Sequence, residues 1–126
     1  MKESILREKS KEFAKQIVFL CRELKQNNVE YALINQLLRS GTSIGANIHE
    51  AQYAHGKKDF VFKLEISLKE CNETDYWVEL LYETQSLSDV IYRQLKNDIT
   101  VLRRMLVSSV NTINKQLNNN FHEVES

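Results

Sequence analysis

The sequence has no proline, three glycines and two cysteines in 126 residues. Without proline nothing interrupts long helices, and so few glycines leave little material for the tight turns of an all-β domain. Cys21 and Cys71 are too few for a secreted disulfide scaffold and lack the C-x-x-C spacing of a redox or zinc motif. Neither sign of charge is in excess: 17 Lys and Arg face 17 Asp and Glu. That balance excludes a strongly basic nucleic-acid coat protein and an acidic tail protein, while a local basic face stays open. No apolar run is long enough for a membrane span. The charged start, Met1 to Lys9, lacks the apolar stretch of a signal peptide. The expectation is a cytoplasmic protein, without membrane contact, whose reduced cysteines pack as small buried hydrophobes.

What is present is helical periodicity, in four segments. The first runs from about Ser4 to Gln26, with Leu6, Phe13, Ile17, Leu20 and Leu24 on one face. The second runs from about Tyr31 to Ala54, with Leu33, Leu37, Ile44, Ile48 and Ala51. The third runs from about Lys57 to Glu83, with Phe60, Leu64, Leu68, Cys71, Val78 and Tyr82. The fourth runs from about Leu87 to Lys115, with Ile91, Leu95, Ile99, Leu102, Leu106, Val110 and Ile113. Asn27 and Asn28 mark the first turn, Gly56 with Asp59 the second, and Ser86-Leu87-Ser88-Asp89 opens the fourth helix by the same capping logic. Such short connections make successive helices antiparallel. Rods of about 35–43 Å in an up-down-up-down four-helix bundle are the economical answer. The bundle domain is expected over residues 1–117, with a polar, frayed tail over 118–126.

Candidate chemistry is thin. His49, His55 and His122 share no face with other ligands, and no H-E-x-x-H or Glu-x-x-His pattern occurs. The carboxylates of the third helix are interleaved with Lys63 and Lys69, as on a solvated face. No enzyme activity, metal or cofactor is expected. The small residues Ser40, Gly41, Thr42, Ser43, Gly45 and Ala46 lie mid-helix, unlike a phosphate loop, and are read as a close helix approach.

Two surfaces stand out. On the third helix Phe62, Ile66, Trp77 and Leu80 form a second apolar stripe nearly opposite the first, with Glu73 among them. A bundle helix needs one buried face, so the second points to a subunit interface rather than to scattered apolar groups. On the fourth helix Arg93, Asn97, Thr100, Arg104, Ser108, Asn111 and Lys115 form a polar stripe with no acidic member. Arg103 flanks it, and Lys57 with Lys58 sits at the tip between the second and third helices. The stripe reads either as a solvated face or as a surface for phosphates.

The stretches from Ser43 to Ala51, Asp59 to Glu70 and Glu73 to Leu81, with Gln36 to Thr42, resemble the four-helix bundle proteins of the 23S rRNA intervening-sequence family. The similarity spans about Phe13 to Met105 and rests on Ser43, Ile44, Asn47, Glu50, Asp59, Phe60, Lys63, Glu70, Glu73, Tyr76 and Trp77. The chain departs from the pattern at Gly56, where a serine often caps the helix, and at Asn97-Asp98, where the pattern is more acidic. The resemblance implies a ring-shaped homopentamer. A related accessory protein of diversity-generating retroelements implies association with RNA or DNA, or with a nucleic-acid enzyme. The expected function is a non-enzymatic oligomeric bundle that binds RNA or DNA, or a nucleic-acid enzyme, through repeated basic surfaces. The alternative is a protein–protein scaffold with no nucleic-acid role.

Overall fold

A computed structural model describes the backbone of residues 2–125 and the side chains of residues 3–119. The chain forms α1 (Lys2–Gln26), α2 (Tyr31–Ala51), α3 (Lys57–Glu83) and α4 (Asp89–Glu125). No strand occurs among the described residues. Residues that meet across each seam run in opposite directions. Arg7 reaches Gln52 and Cys21 reaches Ile34 between α1 and α2. Lys63 meets Glu50 and Ser67 meets Ile44 between α2 and α3. Cys71 meets Ile99 and Tyr82 meets Asp89 between α3 and α4. Sequential neighbours are therefore antiparallel, the diagonal pairs α1/α3 and α2/α4 do not approach, and α4 closes only loosely on α1. This is the expected four-helix bundle.

Local chemistry sets the helix ends. After α1, Asn28 takes a left-handed φ of 59° and the Val29 amide turns back to the Leu24 carbonyl at 3.1 Å. Gln85, at φ 66°, closes α3 the same way, with the Ser86 amide on the Leu81 carbonyl at 2.8 Å. Both are Schellman closures, and Val29 supplies the apolar contact of the first by packing on the core. α2 stops at Ala51 rather than Ala54, because the amides of Gln52, Tyr53 and Ala54 tighten onto carbonyls three residues back. Gly56, at φ 95°, starts α3 in a conformation that glycine adopts without penalty. The Asp59 carboxylate there accepts the His55 amide at 3.1 Å. Ser88 caps α4 by accepting the Ile91 amide on Oγ at 3.2 Å.

α4 continues ten residues beyond the expected Lys115, to Glu125. Its polar stretch contains neither proline nor glycine, so nothing there ends a helix. The tail expected over 118–126 is thus helical in backbone as far as Glu125. Its side chains beyond Asn119, including His122, lie outside the described residues, as does Ser126.

The core follows the four stripes. Leu6, Phe13, Ile17, Leu37, Ile44, Leu64, Val78, Ile99 and Leu106 are all but sealed from solvent. Leu33, Phe60, Leu68, Tyr82, Ile91 and Ile113 are only half-buried and pack against its margin. Ile34, Val61 and Leu81 are buried although outside the expected stripes, because α2 and α3 are each wedged between two neighbours and bury a broader arc. Cys21 and Cys71 are buried free thiols. Burial pushes both up to about 11, so they stay protonated and unreactive near neutral pH.

The small residues of α2 have the expected role. A Cβ on Gly41 would stand 3.0 Å from two side-chain carbons of Ile17, and one on Gly45 would stand 3.3 Å from the Ser10 carbonyl oxygen. α1 and α2 approach this closely only because those side chains are missing.

Candidate functional site

Polar seams between neighbouring helices and two open faces shape the surface. The first seam joins α2 to α3 and is centred on Arg39. Its Nη1 donates to Glu70 at 3.2 Å, its Nη2 to Glu73, and its Nε to Gln36 at 3.4 Å. Glu73 also accepts the indole N–H of Trp77 at 3.0 Å, and Tyr76 packs edge-on against Trp77 with centroids 5.0 Å apart. At the other end Lys63 bonds Glu50 at 2.9 Å. Beneath the seam, the buried Ser67 hydroxyl donates to the Ile44 carbonyl at 2.8 Å. Ser43 and Asn47 turn back onto their own helix, donating to the carbonyls of Arg39 and Ser43. The structure therefore assembles Glu50, Lys63, Glu70, Glu73 and Trp77 from the sequence pattern into one clamp. Arg39, its centre, was not among the residues singled out. The signal was present: Arg39 is the one Lys or Arg in α2, facing a glutamate pair spaced i, i+3 on the next helix.

The second seam joins α3 to α4. Lys96 Nζ donates to Asp75 at 2.6 Å and to Glu79 at 2.8 Å. Burial of the ammonium pulls its pKa down, but the hydrogen bonds and charges of the two carboxylates outweigh that and leave it raised. Arg103 completes the group, pairing with Asp75 at 3.2 Å and donating to Asn72 at 3.2 Å. Glu70, Glu73, Asp75 and Glu79 of α3 are thus engaged with cations. Among the described residues no group of three or more potential metal ligands occurs.

The third seam, between α1 and α4, stands open as a small cleft lined by Lys9, Glu12, Gln16, Asn97 and Asp98 above Phe13 and Leu102. Desolvation in the cleft raises the Asp98 pKa, with partial relief from Lys9. A carboxyl whose folded pKa lies above its unfolded value contributes stability below the carboxylate range and loses it as pH rises through the folded pKa. Asp98→Asn should therefore raise the Tm near pH 7. The gain should vanish by about pH 3, where parent and variant are both neutral at this position. Thermal melts at the two pH values check both arms.

The open faces carry the other sequence candidates. On α3, Phe62 is 56% exposed and Tyr76 58% exposed, while Ile66 and Leu80 are half-buried. Trp77 leans toward α2 and packs against the core. On α4, Arg93, Arg104 and Lys115 are exposed, as are Lys57 and Lys58 at the start of α3, and none has an ion-pair partner among the described residues. Arg103 stands apart from them, held in the α3–α4 seam. Lys57 and Lys58 lie at the end of the bundle where Lys57 and Phe60 line a shallow hollow with Ile113 of α4.

An antiparallel four-helix bundle with clamped α2–α3 and α3–α4 seams, one open seam and a cationic outer stripe is the class of protein these features define. The family model described as 23S rRNA-intervening sequence protein matches residues 2–108, and the chain belongs to that family. A solved structure from Bacteroides thetaiotaomicron VPI-5482, a protein of unknown function from the S23 ribosomal protein family, is similar. Its TM-score is 0.85 at 45% identity, covering 88% of this chain and 99% of that one. No curated protein matches this chain. No helix among the described residues is long and apolar enough to cross a membrane.

Proposed function

We propose that this protein is a non-enzymatic, oligomeric bundle that binds single-stranded RNA or DNA through basic surfaces repeated by symmetry. The observation that carries the reading is the row of exposed, unpaired cations on α4. Arg93, Arg104 and Lys115 recur every 11 residues, close to three helical turns, so they hold one side of the rod over about 33 Å. Phosphates along a strand would meet them in series, and several copies would raise the effective concentration of a patch that is weak in one chain. The stripe offers no aromatic platform for stacking bases, so binding is electrostatic and tolerant of sequence.

The oligomer is a head-to-tail ring, a pentamer by family resemblance. α1 carries seven basic and four acidic residues, and α3 four basic and seven acidic. These helices form a diagonal of the bundle, so their outer faces point opposite ways. The exposed aromatic face of α3 around Phe62 and Tyr76 on one copy then meets the α1 face around the exposed Phe19 on the next, two different surfaces as a heterologous interface requires.

The test is fluorescence anisotropy with a labelled single strand across a salt series. Affinity should fall steeply between about 50 and 200 mM salt and differ little among sequences of equal length. Changing Arg93, Arg104 and Lys115 together to Gln should weaken binding and flatten the log–log salt slope by about two for each copy engaged. Equal binding by the triple variant would make the stripe a solvated face. No binding at low salt would favour the protein–protein scaffold.

A further inference from the structure

A groove of about 710 Å³ runs between α1 and α2, on different helices from the cationic stripe. It falls within the roughly 300–1,000 Å³ of small-molecule sites. Its floor exists because of the small residues: Gly45 lets the helices close until its Cβ position nears the Ser10 carbonyl, and Ala46 beside it adds only a methyl. Long side chains then stand as walls, with two kinds of chemistry on opposite sides.

The α1 wall is cationic. Arg7 and Lys11 lie one turn apart, and neither has an ion-pair partner among the described residues. Arg7 is held in place without losing its charge. Its Nη1 donates to Gln52 across the groove at 2.7 Å and its Nη2 to the Ser4 hydroxyl at 3.2 Å, both neutral acceptors. A guanidinium has five N–H donors, so others remain for an incoming oxyanion. The opposite wall, from the last turn of α2 and the turn after it, is aromatic. His49 and Tyr53 sit one turn apart with centroids 5.7 Å apart and planes inclined by 59°, and Tyr53 is 72% exposed. An open ring face stacks planar groups. Glu8, also on the α1 wall, can accept from sugar hydroxyls.

From these walls we infer that the groove binds a nucleoside monophosphate, its phosphate on Arg7 and Lys11 and its base against Tyr53. Two sources share that chemistry: a free nucleotide and the 5′-phosphorylated end of a strand. The site does not depend on the α4 stripe.

The experiment is calorimetric titration of the full chain with AMP, backed by amide NMR shifts. AMP should bind at least about tenfold more tightly than either adenosine or ribose 5-phosphate. Shifts should concentrate at Arg7, Lys11, His49 and Tyr53. Ala46→Leu fills an exposed floor position with a good helix former and should abolish binding with helicity unchanged. Tyr53→Ala and Lys11→Gln should each weaken it at least about fivefold, whereas Arg104→Gln should not change it. A 5′-phosphorylated tetranucleotide that displaces AMP and binds more tightly than its 5′-hydroxyl counterpart identifies the strand end; AMP binding more tightly than both identifies the free nucleotide. No heat or shift at about 10 mM AMP, or undiminished binding by Ala46→Leu, overturns the site.

Discussion

Gly41→Val should destabilise the bundle by about 3 kcal/mol, at the upper end of what overpacking a core costs. For a domain of this size that is roughly a 10 °C fall in Tm. The Cβ alone would lie 3.0 Å from two carbons of Ile17, a fully buried side chain. Valine adds two more carbons on a stiff χ1, so α1 and α2 must separate, and with them the packing of Phe13, Ile17 and Leu37. Gly41→Ala is the informative control. It gains about 1 kcal/mol of helix propensity over glycine, which a shift of Ile17 by a few tenths of an ångström should about cancel. The pair should therefore differ by several kcal/mol although both merely add carbon. Chemical denaturation of the two variants measures this. A valine variant as stable as the parent would mean that the α1–α2 distance is set elsewhere.

That close approach was legible in the sequence because glycine in a helix interior is costly and needs an offset. The helices were legible for a similar reason: without proline, and with apolar residues spaced three and four apart, few other arrangements bury the same side chains. The polar part of the core was less visible. Ser67 and Thr74 are fully buried, yet each finds a carbonyl, Ser67 that of Ile44 on α2 and Thr74 that of Glu70 one turn back. Hydropathy marks both as surface residues because it knows nothing of those acceptors. The end of α4 was misplaced for the opposite reason, since apolar periodicity stops near Ile113 while the backbone has no cause to.

The clamps were harder to read than the helices. Arg39 meets carboxylates 31 and 34 positions away. Such a pairing depends on the register between two helices, which the period of either one leaves undetermined. The same holds for Arg103, which the sequence groups with the α4 cations and the fold turns toward Asp75. The α1–α2 groove is likewise invisible in one dimension: its cations and its aromatic rings come from chain segments about forty residues apart, joined only when the helices fold back. These clamps also limit what an exposed ion pair is worth. Arg39 and Glu73 both remain substantially exposed, and exposed pairs contribute about 0–1 kcal/mol each, so they align α2 with α3 more than they hold the bundle together.

Phe62→Lys with Tyr76→Lys should dissociate the proposed ring, lowering the mass in light scattering from several times 14.8 kDa to that of one chain while helicity persists. Trp77 is a poorer choice for this test. Its ring packs against the core and its N–H is bonded to Glu73, so replacing it would damage the bundle itself. Phe62 and Tyr76 are more than half exposed, so the single chain keeps its packing without them. Burying an aromatic of this size is worth roughly 2 kcal/mol, and each ring interface would lose two. Lysine rather than glutamate is the replacement because Lys15 and Arg22 flank the exposed Phe19 on the partner face of α1, the Arg22 guanidinium over its ring. A new glutamate could be welcomed there, whereas a new lysine is repelled. The matching variant on α1, Lys15→Glu with Arg22→Glu, should dissociate the ring as well. Each variant keeps one face intact, so a heterologous interface makes a distinctive demand of their mixture. The unaltered α3 face of the α1 variant should pair with the unaltered α1 face of the α3 variant. The mixture should therefore associate in a one-to-one ratio, where each variant alone stays monomeric. An isologous interface between two α3 faces would leave the mixture monomeric, and parent protein that is already monomeric would remove the assembly altogether.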